Sequence, residues 1–511
     1  MTRKFQMLAL STMPLALAFQ FPKDICSQNS VIRNARGFRK EERATEPGIA
    51  ASLDQQPPQW TRRIALEGGI LSAVSFLASK ETTRDEYGLW GVLPVGPYKT
   101  KRTAQLETIV DGEVWTSDQK FGILNVQVPS RMVVIRLSAA SGGGLWIYNP
   151  IAATRDLIDT IRQLEKSHGP VRHIVLGTVA IEHKTYCGPF AQKFPDATVW
   201  LQPGQYAVPL NLPAEFIGCP IGRTKALPEK ATDTPWAADF DHETLGPFLS
   251  RDGAFGETAF FHRSTKTLLV TDIVVQITDN LPAIYRLDLK PLLYHSRTSV
   301  NESIDPNDET QLRRGWRRIQ LFGLFFMPAG INVKSVNDAI KERRPDINSD
   351  FAGVYPWDWV GDEDITSFKA IQGNRAKTGP SGLLVAPILQ TLILNRNPVE
   401  VIDWADRVSR WDFKRIIPAH LQNNVPSDGI TFRRAFTFLE EDGEPPGQPK
   451  PREADLETLR SAEVSLVSSG AIAARPPKLG KGNRRDVLAA SQYVCKRGLC
   501  TQRAPEARPS S

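Results

Sequence analysis

Two β-sheets stacked face to face with helices on both outer sides, an αββα sandwich of the α/β class, is the architecture that the pattern of this 511-residue chain predicts. Three stretches carry the expectation. Before Leu201 the apolar runs alternate with helical spacing in a strand–helix–strand order, the signature of a βαβ crossover. Residues 255–275 read as a hairpin, and residues 413–440 read as a strand, a histidine and a helix.

Composition sets the outer bounds. With 41% hydrophobic, 23% charged and 8% aromatic residues the chain is of ordinary globular type, which excludes a wholly disordered or fibrous protein. Its length suits roughly two to four average domains, or one large domain with extensions. The formal charge of +7, from 63 basic and 56 acidic residues, is mild and sits largely in the tails. The core therefore lacks the basic, aromatic-interleaved stripe of a nucleic-acid binder, and no nucleic-acid partner is expected. Five cysteines without CxxC spacing give neither a disulfide scaffold nor a zinc knuckle.

The first 80 residues read as targeting information. Arg3 and Lys4, the apolar stretch Met7–Ala18 and the small residues before Phe19 form a secretory signal peptide. The Arg-, Ser- and Pro-rich stretch that follows has transit-peptide composition, and simple secretion is the plainer alternative. The Ala18-Phe19 junction resembles the bipartite plastid presequence of algae with secondary plastids, which implies a plastid address. Arg62-Arg63 before Ile64–Ala78 resembles a twin-arginine signal, which would direct the chain to the thylakoid lumen; an amphipathic helix leading into the domain competes with it.

The folded part is expected over residues 88–440. Met132–Leu137 and Gly144–Tyr148 read as strands around the turn Ser141–Gly144, Ala152–Lys166 as a helix, and Val171–Leu176 as a buried strand. Thr178–Gly188 reads as a loop, Phe190 onward as a short helix, and Ala197–Leu201 as a strand. Glu257–Arg263 and Thr267–Asp272 make the hairpin. An irregular insertion is expected at about 282–395, then a helix at Val399–Arg410, a strand at Phe413–Pro418 and a helix at Thr431–Glu440. Residues 441–511 read as one helix, Ala454–Val467, with a disordered basic tail in which Cys495 and Cys500 have no fixed geometry.

Candidate chemistry gathers at strand ends. His183 follows one buried strand, Asp272 ends the hairpin, and His420 follows Ile416-Ile417-Pro418. In open α/β sheets such positions face ligands, although an Asp at a strand end is often only a cap or turn residue. Cys187 could replace a ligand or act as a nucleophile, but a buried inert thiol is the commoner case. His168, His173 and His295 read as helix-end or surface residues. Trp316–Met327, with Arg313, Arg314, Arg317 and Arg318 nearby, suits either membrane-surface contact or a helix buried on the domain.

In their order, Thr178–His183, Leu269–Asp272 and Pro418–His420 resemble the metallo-β-lactamase superfamily. There a post-strand loop carries HxHxDH, a later strand ends in a metal-bridging Asp, and a final strand ends in His. Gly144–Tyr148 resembles the strand that family ends in Asp, here followed by Asn149. Leu145–Pro150, Tyr186–Phe190, Trp200–Gly204 and Trp411–His420 further resemble an uncharacterised group found in cyanobacteria and plastids, domain-of-unknown-function family 4336. The resemblance implies His183, Asp272 and His420 as metal ligands with Glu182 as base or fourth ligand. The departures are Thr178 and Ala180 at the first two His, Glu182 for Asp, and Gly253-Ala254 where a further His belongs. A binuclear hydroxide mechanism needs ligands that are missing here. The expectation is a degenerate plastid protein with no cofactor, or one weakly bound zinc or iron ion, that binds a small molecule or protein. A mononuclear hydrolase using His183, Asp272 and His420 is the alternative.

Overall fold

The computed structural model describes residues 85–86, 101–123, 126–205, 215, 218–250, 253–344, 353–374, 382–491, 493–496 and 499–502. The expected targeting segment, residues 1–80, lies outside them, as do residues 503–511.

Seven strands form the first sheet in chain order: β1 (Gln105–Val110), β2 (Val114–Ile123), β3 (Val126–Arg136), β4 (Leu145–Tyr148), β5 (Val171–Leu176), β6 (Thr198–Leu201) and β7 (Thr224–Ala226). Pairing is antiparallel from β1 to β4 and parallel from β4 to β7. The parallel half needs crossovers, and α1 (Arg155–His168) and α2 (Ile181–Ala191) supply those from β4 to β5 and from β5 to β6. The second sheet holds β8 (Phe240–Ser250), β9 (Gly253–His262), β10 (Thr267–Val270), β11 (Arg415–Pro418) and β12 (Val425–Pro426), in the order β12-β11-β10-β9-β8. Only β10 and β11 are parallel, which leaves a long crossover between residues 270 and 415 for the insertion.

The period-two alternation of strand side chains sorts the core into layers. Val133, Ile135, Trp146 and Tyr148 of the first sheet meet Phe260, Leu269 and Ile417 of the second. Their neighbours Met132, Val134, Leu145 and Ile147 turn the other way, onto Leu157 and Ile161 of α1 and Phe190 of α2. Phe261, Leu268, Val270 and Ile416 turn outward onto Val401, Trp404 and Val408 of α4 (Pro398–Val408). The layers are helix, sheet, sheet, helix, so the αββα sandwich is what the chain forms.

Several expectations are corrected. The Thr178–Gly188 loop is largely helix: α2 begins at Ile181, placing Glu182 and His183 in its first turn. The insertion is a helical layer around α3 (Glu309–Phe325), in which Trp316, Ile319, Leu321 and Phe325 are fully buried against Val275, Tyr285 and Trp359. The membrane-surface reading of Trp316–Met327 is set aside on that ground, because the apolar face already packs on the domain; no described helix is long and apolar enough to cross a membrane. His295 is fully buried at the end of a short helix, and His173 is buried between the sheets against Trp200 and Trp236. Neither is a surface residue.

After residue 440 the expected helix forms, while the described chain beyond it differs from the expected disordered tail. Helix α5 (Glu457–Ser468) buries Leu459 in the outer core, and its Glu463 pairs with the buried Arg396 at 2.7 Å. Asp455 accepts hydrogen bonds from Ala329 N and Ser367 Oγ. Packing of this kind continues to Ser491. Beyond it two strands, Tyr493–Lys496 and Leu499–Gln502, pair so that Cys495 stands opposite Cys500.

Candidate metal centre

Three strand ends meet on one side of the sandwich. The chain leaves β5 at Leu176, and the following loop is stitched across to β9: Thr258 N donates to Gly177 O at 2.7 Å and Val179 N to Gly256 O at 3.1 Å. Asn149 secures it from β4, accepting Gly177 N at 3.0 Å and donating to Thr271 Oγ1 at 2.9 Å. This brings the first turn of α2 over the ends of β10 and β11. Ala419 N donates to Thr271 O, and Arg131 N of β3 donates to Ala419 O, so the strand end carrying His420 is held from both sheets.

The sequence-predicted ligands converge. Single ligand atoms of His183, Asp272 and His420 lie within 4.8 Å of one another. The two imidazole Nε2 atoms are 3.1 Å apart, and Asp272 Oδ1 is 3.2 Å from His420 Nε2 and 3.9 Å from His183 Nε2. Around a tetrahedral zinc with bonds of about 2.0–2.1 Å, ligand atoms stand roughly 3.3 Å apart, so the spacing fits one ion. His420 Nδ1 donates to Pro129 O at 2.8 Å, which leaves Nε2 of the neutral ring with the lone pair a metal needs. His183 is fully buried, while Asp272 and His420 reach the surface through side chains 19% and 14% exposed. One face of the cluster is open.

Electrostatics tie the three groups together. Burial disfavours the Asp272 carboxylate, but the His183 and His420 rings beside it hold its pKa well below the usual carboxylate range. Burial also works against a charged His420, yet Asp272 and the Pro129 carbonyl raise its pKa above the ordinary imidazole value.

Other candidates sit elsewhere. Glu182, expected as base or fourth ligand, is outside the converging group; burial, and then the Asp272 charge, raise its pKa. Thr178 Oγ1 accepts Ala180 N at 3.1 Å, and Ala180, at the N-cap of α2, contributes no side-chain bond. Cys187 is buried in the helix-side core, where its hydrogen bond with Cys219 and its burial push the thiol pKa well up: an inert thiol.

Sequence reasoning missed Glu257. Its carboxylate, fully buried, accepts the main-chain N–H groups of Thr271 (2.7 Å), Asp272 (2.8 Å) and Ile273 (3.0 Å). Burial and the charge of Asp272 nevertheless raise its pKa to about 8. The signal was present: Phe255, Glu257, Ala259 and Phe261 share one face of β9, and an acid in that apolar row demands a partner.

Residues 111–438 match the family model described as Domain of unknown function (DUF4336). The chain belongs to that family. Among curated proteins nothing matches it. Solved structures similar to this DUF4336 chain include a flavoprotein from Thermotoga maritima, at 9% identity over 66% of this chain and 62% of that one, with a TM-score of 0.33. The chain thus spans less than two thirds of that flavoprotein's length. A metallo-β-lactamase from Pontibacter korlensis is 14% identical over 43% of this chain and 99% of its own, with a TM-score of 0.26. A flavodiiron core from Synechocystis is 12% identical over 43% of this chain and 54% of its own, with a TM-score of 0.24.

Proposed function

We propose that this DUF4336 protein uses the sandwich as a binding module with a one-cation site in place of a binuclear hydrolytic centre. The observation that carries the reading is the donor set, in which two imidazoles and one carboxylate converge; the motif resemblance puts Thr178 and Ala180 at the positions of two further histidines. His183, Asp272 and His420 would hold zinc or iron, and Glu182 lies outside their group. A bound ion would supply Lewis acidity and a fixed positive charge. The chain's own residues orient the donors: Pro129 O fixes the His420 tautomer, and Glu257 fixes the Asp272 loop. With three protein ligands in place of the four of a closed structural site, the ion is expected to be held less tightly than in such a site, and binding falls as the ligands protonate.

The test is metal analysis of the purified full chain with zinc and iron titrations, beside His420→Ala. At most one ion per chain, bound weakly and lost in the variant, is expected, with no turnover of ester, thioester or lactam substrates. Two tightly bound ions per chain, or hydrolysis abolished by His183→Ala, would overturn the proposal and promote a hydrolase. We further propose a plastid location from the presequence-like residues 1–80; a fluorescent fusion of those residues that stays outside plastids would refute it.

A further inference from the structure

Strand register builds a second polar site next to the cluster. Gln105 of β1 stands opposite Asp118 of β2, and Asp118 stands opposite Arg131 of β3, so the three side chains form a row across one sheet face. Glu107, two residues along β1, points the same way. The row floors a cavity of about 390 Å³, at the small end of the range for ligand sites. Leu421, immediately after His420, forms part of its wall, and Leu281 and Pro282 from the insertion make that wall apolar.

The hydrogen-bond inventory of this row is unbalanced toward acceptors. Arg131 is fully buried: Nη1 donates to Pro418 O at 2.6 Å, Nη2 donates to Leu421 O at 3.1 Å and to Asp118 Oδ2 at 2.8 Å, and Nε is a buried donor without a partner among the described residues. The other carboxylate oxygen, Asp118 Oδ1, is buried without a partner among the described residues, and so is Gln105 Oε1 beside it. Glu107 Oε2 receives one bond, from Asn423 Nδ2 at 2.8 Å. A buried carboxylate oxygen left without a donor is costly, and a ligand that brings donors would relieve it. One cation, Arg131, faces two acids, Asp118 and Glu107, so the row carries a net negative charge.

We propose that this cavity binds a small molecule bearing a primary ammonium on a short apolar chain, the ammonium on Asp118, Gln105 and Glu107 and the chain against Leu281, Pro282 and Leu421. An ammonium presents three N–H donors, which suits the two unpartnered oxygens and the remaining acceptor capacity of Glu107. A carboxylate ligand would meet two acids, and a neutral alcohol would leave one of the acceptors bare. The proposal deepens the binding-module reading by naming a ligand class. It involves no member of the His183 cluster, so its failure leaves the metal test unaffected.

The experiment is calorimetric titration of the full chain with pentylamine, with pentanoate and pentanol as the anionic and neutral probes of equal length. Pentylamine is expected to bind, and the other two at least about tenfold more weakly. Asp118→Asn should lower pentylamine affinity by about tenfold or more, since it removes the buried charge. Because Asp118 also pairs with Arg131, that variant is read only where it folds. Glu107→Gln, at the exposed rim, tests the same charge safely and should weaken binding about two- to fivefold. Equal binding of all three probes, no binding of pentylamine, or an affinity unchanged in a folded Glu107→Gln and Asp118→Asn would overturn the proposal.

Discussion

A carboxylate surrounded by three consecutive main-chain N–H groups acts as a clamp, and Glu257 is placed to hold the Asp272 loop in that way. In Glu257→Ala the N–H groups of Thr271, Asp272 and Ile273 lose their acceptor together. Each unpaired buried donor costs about 1–3 kcal/mol, so the variant should be less stable by about 3 kcal/mol or more in chemical denaturation. Glu257→Gln keeps one carbonyl oxygen and should lose less. Both should also weaken cation binding at His183, Asp272 and His420, which a purely structural role far from the site would not do; equal metal affinity in a folded Glu257→Gln would count against the clamp. The three ligand candidates were legible because each follows a strongly apolar strand, so their positions at strand ends could be inferred before any geometry. Glu257 was harder to see, because its partners are main-chain groups 14 to 16 residues away and no side-chain motif marks them.

Helix α3 shows how an element can be read in two ways from sequence and decided by packing. Its apolar stripe and basic flank suit a membrane surface as well as a core, since periodicity reports amphipathicity and not the partner. The partner is the short helix Lys290–Ser296, which crosses so closely that a Cβ on Gly315 would stand 2.2 Å from Leu292 O and 2.7 Å from Ser296 Oγ. Arg318, one of the arginines flanking that stripe, is buried with Asp364 at 2.8 Å and lies over the Trp359 ring. Gly315→Ala should therefore force the two helices apart and destabilise the protein by about 1–3 kcal/mol, the usual range for overpacking. A melting temperature unchanged from the parent would contradict the close crossing. The same polar residues explain why the insertion looked irregular: burying Arg318 through a distant acid leaves no local pattern to find.

At the scale of the molecule, the sandwich was legible because alternation within β3, β9 and β10 marks two buried faces and the βαβ half fixes the parallel strands. Of the C-terminal wrap the helix was legible but its docking was not, since Leu459 and Val487 are buried by elements distant in sequence. The space between the sheets also sets a response to acid. His173 of β5 lies there, and Trp200 Nε1 donates to its Nδ1 at 3.3 Å, which requires that nitrogen to be unprotonated. Burial, with Arg172 and Lys225 nearby, lowers its pKa to about 4, against about 6.5 in the unfolded chain. Between those values the unfolded state binds the extra proton, so stability falls as pH drops from about 6.5 to 4, by up to about 3 kcal/mol from this residue. Glu257, raised to about 8, contributes the opposite slope between about 4.5 and 8, so the net curve alone does not isolate the histidine. His173→Gln does, because an amide oxygen can still accept from Trp200 but cannot titrate. Stability of the variant minus that of the parent should rise steadily as pH is lowered from 6.5 to 4, measured by denaturant unfolding at each pH. A difference that stays flat across that range would mean that His173 is already charged in the folded protein, and that the contact with Trp200 does not form.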